Sequence, residues 1–410
     1  MRVLVANKFL RPVGGVESHV EAVKDWLVAA NHTVVPFAMA EEGNENTAYS
    51  RYFPSQLDFR ASGVRATART LERATVSSET RRKLGELLRS ESIDAAYVVH
   101  VYHQLGMVML NDLTDWGVPT VLSLHDYKIA CPNYRFFSER TDKMCTKCLD
   151  HRSGYLWAPA VERCWSGSRK AGLALSLEAL TTRARQSYRR PGAVVVLNTL
   201  QEKAALSAGV DASRLHRIPH PVTLGSERPN ADRTHVLFVG RLVPEKGVDI
   251  LIRAARTSNV PVKIVGDGRS AEALRSLAES IGAPVEFVGA VPSAEVPALL
   301  AQAAALVVPS VWHEVSPLVV YEAMAADVPV IGTNVGGMVE QLGAGRGLLV
   351  EPGDVAGLGA AMQRLVHHPD EGRALSEAAR TYAAEHLAPA RWSERLVAAF
   401  NAAGAEGFAV

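Results

Sequence analysis

The chemistry-bearing residues of this chain lie where apolar runs give way to glycine, proline or charge. The richest segment is Ser310-Val311-Trp312-His313-Glu314-Val315-Ser316-Pro317-Leu318-Val319-Val320-Tyr321-Glu322. Ser316 followed by Pro317 reads as a helix N-cap and a first-turn proline, which predicts a helix from about Pro317 through Ala325. Pro317 has no amide hydrogen, so Leu318 and Val319 become the expected donors at a helix N-terminus suited to an anion. Glu314 precedes the cap and Glu322 falls in the second turn. Carboxylates on both sides of an anion site suit a ligand with hydroxyls at each end and phosphates between them. The plainer reading is two surface glutamates around an ordinary cap.

A second segment is Gly240-Arg241-Leu242-Val243-Pro244-Glu245-Lys246-Gly247, at the end of another apolar run. Arg241 offers a planar fork for phosphate oxygens and Lys246 a compact charge. When a nucleoside diphosphate departs, negative charge grows on the leaving oxygen. Fixed positive charge there stabilises the transition state more than the ground state. Any one such pair is more commonly two surface cations. Gly14 and Gly15 follow the first run and would let backbone approach a ligand before a helix begins. Alone they make a tight turn, and they are not the dinucleotide fingerprint. His125 stands at a strand's carboxyl edge, where it can bond a sugar hydroxyl or assist a proton; a lone histidine is more often structural. Gly266-Asp267-Gly268 is a further strand end, able to hold a base or ribose against backbone, and by itself only a turn.

The elements that must position these residues alternate. Predicted strands are Arg2–Ala6, Thr33–Phe37, Ala95–Val99, Pro119–Leu124 and Ala193–Leu197, then His235–Val239, Val262–Val265, Val285–Val288, Leu306–Val308, Pro329–Ile331 and Gly347–Val350. Several are near-continuous apolar runs, as parallel strands buried on both faces require. Strand–helix alternation twice over predicts an α/β chain of two doubly wound sheets. The first domain is expected over 1–222 and the second over 233–388. Thr223–Arg233, with Gly225, Pro229 and Asp232, reads as the linker. Two such domains facing each other would make a cleft, with ligands outside the strands' carboxyl ends. The tail from about Ser376 is Ala-rich and helical, and Trp392 and Phe400 are its expected anchors.

Composition limits the rest. In 410 residues, 44 Lys and Arg balance 43 Asp and Glu, which leaves no basic footprint for nucleic acid. Arg183, Arg185, Arg189 and Arg190 crowd one stretch, read as a solvated helix face or as a patch for an anionic acceptor or a membrane surface. No apolar run has spanning length and the N-terminal run is too short for a signal peptide, so a cytoplasmic location is expected, with peripheral contact at the inner membrane face left open. All four cysteines, Cys131, Cys145, Cys148 and Cys164, fall in one polar and aromatic insert of about 127–168. Four thiolates at such spacing can hold a tetrahedral structural Zn²⁺. Another metal centre, disulfides and separately packed free thiols are the alternatives. A set of four thiolates leaves no open position, so no catalytic metal is expected there.

Taken in order, these pieces resemble the retaining glycosyltransferases of family 4, which have the GT-B fold of two Rossmann-like domains facing a central cleft. The resemblance runs from Gly14-Gly15 to the C-terminal helix. Its most specific part is Gly240-Arg241 with Glu245-Lys246-Gly247, followed by the Glu-x7-Glu spacing of Glu314 and Glu322. It implies that Arg241 and Lys246 bind the diphosphate and that Glu322 holds the ribose. It also implies that Glu314 and His125 contact the transferred sugar, that Gly15 sits beside the phosphates or acceptor, and that Gly266 and Val291-Pro292 lie near the base. Transfer with retention is implied, by same-face displacement and with no obligatory catalytic cofactor, since Arg and Lys take the metal's place. The implied partners are a UDP- or GDP-sugar donor and a glycan, lipid-linked or small-molecule acceptor, with the oligomeric state unspecified. In the family's layout the helix of 389–410 packs back on the first domain. An epimerase or hydrolase of sugar nucleotides on the same fold is the alternative. Two departures stand out: Pro219-His220-Pro221, where relatives often have Pro-Asn-Gly, and the cysteine insert.

Overall fold

In the computed structural model, residues 1–11, 13–57, 64–150, 157–225 and 233–410 are described. Most of the expected linker, 226–232, lies outside them, as do positions 151–156 of the cysteine insert. The chain forms two compact units: Met1–Thr141, Cys145–Ile218 and Ser393–Val410 make one, and Pro219–Trp392 with Asp142–Met144 the other.

The first unit is built on six parallel strands: β1 (Arg2–Ala6), β2 (Thr33–Phe37), β3 (Ala95–Val98), β4 (Thr120–Ser123), β5 (Ala193–Val196) and β6 (Leu215–Arg217), in the order β2-β1-β3-β4-β5-β6. β3, β4 and β5 are wholly buried, which is why β3 and β5 read as unbroken apolar runs and β4 carries polar residues only at its ends. β6 went unpredicted because it is a half-exposed edge strand of three residues, two of them polar. Helix α1 (Gly15–Ala29) follows β1, α2 (Arg169–Ala184) precedes β5, and α3 (Thr199–Ser207) follows it. Asn198 caps α3 by accepting from the Gln201 amide at 2.8 Å. The last residues close this unit: Trp26 donates to Ser393 at 2.8 Å and stacks on Phe408 at 5.9 Å.

The second unit carries β7 (Val236–Val239), β8 (Val262–Val265), β9 (Val285–Gly289), β10 (Ala305–Val308), β11 (Val330–Thr333) and β12 (Leu348–Val350), all parallel, in the order β9-β8-β7-β10-β11-β12. Alternate residues feed two cores. Val236, Phe238, Ile264 and Val307 pack on one face with Leu251 and Ile252 of α4 (Val248–Ser258). Leu237, Val265, Leu306 and Val308 pack on the other with Val320 and Met324 of α5 (Leu318–Ala325). The period-two split of a fully apolar run is what a sheet covered by helices on both faces demands. Among the described residues no helix is long and apolar enough to cross a membrane.

Candidate active site

In the second unit the strand order reverses between β7 and β10, the point where open α/β sheets bind ligands. The segments leaving these two strands are the two richest in the sequence. They are joined by the Val311 amide, which donates to the Glu245 carbonyl at 3.0 Å. Across this junction Lys246 Nζ donates to Glu314 Oε1 at 2.7 Å, and Ser310 Oγ donates to the same oxygen at 2.5 Å. Glu314 is only 4% exposed. Burial pushes its carboxyl up, but Lys246 and Ser310 outweigh burial and hold it below the ordinary range. The ammonium of Lys246 also lies over the Trp312 ring, 5.6 Å from its centre. Arg241 is exposed just past β7, its guanidinium without a partner among the described residues.

The helix behind this loop begins one residue later than expected. Pro317, at φ −63° and ψ 119°, is the cap of α5, and Ser316 is not. The Ser316 hydroxyl pairs with the Tyr321 hydroxyl at 2.9 Å instead. A proline at the cap position lacks a side-chain acceptor, so the amides of Leu318 and Val319 find none among the described residues, while Val320 bonds back to Pro317. Glu322 is exposed on the same helix. His220, from the departure noted before the linker, is buried with its ring edge-on to Tyr321 at 5.8 Å, and burial holds it neutral with a pKa near 4.

Gly266 is explained by packing. At φ +137°, a side chain on it would meet the Gly240 carbonyl at 1.9 Å, so two neighbouring strand ends touch backbone to backbone. Gly336, which the sequence reading passed over, matters more. Its φ of +53° and ψ of −139° suit only glycine, and a Cβ there would lie 2.4 Å from the Glu314 carbonyl. The neighbouring Gly337 amide donates to that same carbonyl at 2.7 Å. Gly336→Ala should therefore cost ~1–3 kcal/mol of strain and displace Glu314. The check is a parallel fall in Tm and in nucleotide affinity; an unchanged affinity would mean the loop relaxes elsewhere.

In the first unit the order reverses between β1 and β3, and a polar cluster stands there. Asn7, directly after β1, accepts from the His100 amide at 3.3 Å and donates to Glu17 at 3.3 Å. His125, after β4, has Nε2 3.0 Å from Ser123 Oγ, and its ring centre lies 4.3 Å from that of His19. His19 in turn pairs with Tyr97 at 2.9 Å. Asp126 accepts from the Tyr102 hydroxyl at 2.6 Å and from the Lys128 amide at 2.8 Å, with His100 Nε2 at 3.3 Å. Burial raises Asp126 to about 6 and keeps His100 neutral. Gly14 is the N-cap of α1, and Glu17 in the first turn is 6% exposed. A buried carboxylate already occupies the positive end of that helix, which favours a hydroxyl-bearing ligand over an anion there. Asn7, Glu17, His19 and His100 were missed by the sequence reading. The signal was present: Asn7 and His100 stand just beyond apolar runs, as His125 does.

The four cysteines are free thiols, Cys131 and Cys164 buried, Cys145 and Cys148 partly so. Among the described residues no three His, Cys, Asp or Glu side chains are arranged to hold a metal ion. Of the arginine stretch, Arg190 pairs with Asp115, Arg185 bonds the Thr75 carbonyl, and Arg183 and Arg189 line a cavity of about 230 Å³ with Lys128 and Glu178.

Comparison with known proteins assigns the two units. Residues 14–221 match the family described as Glycosyl transferase 4-like domain, and residues 224–382 match Glycosyl transferases group 1. The chain is 34% identical over 189 residues to the glycogen synthase of Mycobacterium tuberculosis, a match spanning 44% of this chain and 44% of that protein. Such alignments cover less than half the relative's length. It is 26% identical over 402 residues, 94% of each chain, to the GDP-mannose-dependent alpha-(1-6)-phosphatidylinositol monomannoside mannosyltransferase of Mycolicibacterium smegmatis. Its fold is similar to sucrose-phosphate synthase of Thermosynechococcus elongatus, with TM-score 0.70, 18% identity and 98% of each chain covered. It is also similar to HepE of Anabaena in complex with UDP and glucose, with TM-score 0.66, 16% identity and 98% and 99% covered. Two parallel sheets flanked by helices, each with its polar site at the point of strand reversal, and a family match to each half place this chain among the family 4 glycosyltransferases of GT-B fold.

Proposed function

We propose that the chain transfers a sugar, with retention, from a nucleoside diphosphate to a hydroxyl-bearing acceptor. The observation that carries this reading is the site at the β7/β10 reversal: Lys246 paired to the buried Glu314, an exposed Arg241, and unbonded amides at Leu318 and Val319. An ammonium has three N–H donors, so Lys246 can keep Glu314 and still reach a phosphate oxygen. As the sugar–phosphate bond breaks, Lys246 and Arg241 stabilise the charge that develops on the diphosphate. Glu314, held ionised, is an acceptor for hydroxyls of the transferred sugar. Glu322, one and a half turns along α5 from the cap, is assigned to the ribose, and Gly266 to the base side. His125, Gly14 and Gly15 are assigned with them by the family resemblance. No observation favours an epimerase or hydrolase.

Uridine and guanosine are the proposed bases: HepE was solved with UDP, and the M. smegmatis relative is named as GDP-mannose-dependent. The acceptor is proposed to be a glycan, a lipid-linked oligosaccharide or a small molecule. Thermal unfolding with UDP, GDP, ADP and dTDP in parallel tests the donor. A nucleotide at ~100 times its Kd should stabilise the fold by about 2.7 kcal/mol, a shift that Glu322→Ala should shrink. No shift from any of the four, in folded protein, would sink the reading.

A further inference from the structure

We propose that the outer face of α2, with the short helix Ala158–Glu162 beside it, is a docking surface for an anionic phospholipid bilayer. The polarity of α2 is inverted. Its buried positions are Gly172, Ser176, Glu178 and Thr182, small or polar throughout, while Leu173 and Leu177, one turn apart, are exposed. A helix that only covers a core turns its leucines inward. The neighbouring helix repeats the pattern: Ala158 and Pro159 are buried, Trp157 is exposed and Val161 is 73% exposed. The two helices meet backbone to backbone, since a Cβ on Gly172 would lie 2.1 Å from the Pro159 carbonyl. Single exposed apolar residues are ordinary. Two such i,i+4 pairs on adjoining helices, one with a tryptophan, suit the boundary between lipid headgroups and acyl chains.

Charge identifies the occupant. Residues 157–190 hold seven Arg and Lys against two acids, in a chain whose totals are 44 and 43. Both acids are already paired, Glu162 with Lys147 and Glu178 with Lys128. Arg169 and Lys170 stand in the first turn of α2, where the helix dipole is positive and cations are unfavourable. Both are exposed, and neither has a partner among the described residues. A negative surface outside the protein accounts for cations placed against the dipole. Arg183 is exposed at the other end of the helix, in its last turn. A second copy of this face would bring like charges together, and a nucleic acid would leave Leu173, Leu177 and Val161 without apolar cover.

The seating that satisfies both features lays α2 along the bilayer, its leucines below the headgroups and its cations among the phosphates. Both helices belong to the first unit, so the contact needs no rearrangement of the fold. With 16 residues and cations at both ends, α2 lies on the surface and does not span it. The contact is therefore peripheral and reversible, and it does not rest on the transferase reading.

The test is co-sedimentation of the full chain with vesicles of phosphatidylcholine alone and of phosphatidylcholine with phosphatidylglycerol. Binding is expected to the second only, and it should fall as salt is raised, because exposed charges are screened. Arg169→Gln/Lys170→Gln should weaken it ~25-fold, about fivefold for each cation at an anionic surface. Leu173→Gln/Leu177→Gln should weaken it on the order of tenfold or more and leave the salt dependence in place. All four side chains are exposed, so Tm should stay at the wild-type value, which separates lost binding from lost fold. No binding, equal binding to both vesicle types, or binding that the leucine substitutions leave unchanged overturns the proposal. So does a concentration-dependent dimer that Leu173→Gln/Leu177→Gln dissolves, which would give the face to a second copy of the chain. None of these outcomes depends on transferase activity.

Discussion

Lys246→Met should lower kcat on the order of 10²–10³-fold, the usual cost of removing one preorganised donor from a developing oxyanion. It should also destabilise the chain, because Glu314 stays only 4% exposed and loses the cation 2.7 Å away. Removing one partner of a buried pair costs ~3–5 kcal/mol when the other remains charged. The two losses can be separated. Lys246→Met/Glu314→Gln should regain much of the stability, since no buried charge is left over, and none of the activity. The pH dependence gives a second separation. In the wild type Glu314 titrates below its ordinary 4.5. Its contribution is therefore complete above the unfolded pKa and is lost as pH falls through the folded one. Without Lys246, burial is the largest remaining influence and the folded pKa rises above the unfolded value. The sign then reverses: Lys246→Met should be relieved, relative to wild type, as pH falls from neutral through that raised pKa. Thermal melts across acidic pH read this directly. Unchanged kcat in the single variant would remove Lys246 from the leaving-group side.

How much of this could be seen beforehand follows from what each signal depends on. Eleven predicted strands have counterparts because a buried parallel strand writes itself as a short apolar run, as Ala305–Val308 does. β6 is invisible to that signal, since Leu215-His216-Arg217 is held by pairing to β5 and not by burial of its own side chains. The Glu314 loop was legible by residue type, but the bond from Lys246 to Glu314 was not. The two are far apart in sequence and meet only because β7 and β10 are neighbours in the sheet. The one-residue error at the start of α5 has a local cause: serine is the commoner cap, but here its hydroxyl is taken by Tyr321. In the cluster of Asn7, Glu17, His19 and His100, the first and last carry the same strand-end signal as His125, but Glu17 and His19 lie within α1 and are unremarkable alone. Strand order makes them neighbours, and strand order is not written in any one segment.

That same cluster continues inward to the second large expected effect. Glu178→Ala should destabilise the first unit by ~3–5 kcal/mol, a large share of the ~5–15 kcal/mol that holds a domain folded. Lys128 and Glu178 are 6% and 2% exposed, and Lys128 Nζ donates to Glu178 at 2.7 Å and to the Pro132 carbonyl at 2.8 Å. Burial alone would push the Glu178 carboxyl up. Lys128, with His103 3.6 Å from the same oxygen, reverses this and pulls it down to about 2. Truncating Glu178 leaves the buried ammonium with the Pro132 carbonyl, beside a cavity that both side chains line. Lys128→Met/Glu178→Leu should be far less costly than either single change, because the pair's attraction mainly offsets its own desolvation. The position of the pair suggests what it secures. Lys128 leads back through its amide to Asp126 and so to the turn that carries His125, while Glu178 belongs to α2. Acid unfolding supplies the sign: the depressed carboxyl contributes fully above its unfolded pKa, and that contribution is lost as pH falls through about 2. A Glu178→Ala variant should therefore have a flatter stability curve below pH ~4 than the wild type. If the two curves run parallel there, Glu178 is not the ionised partner of Lys128.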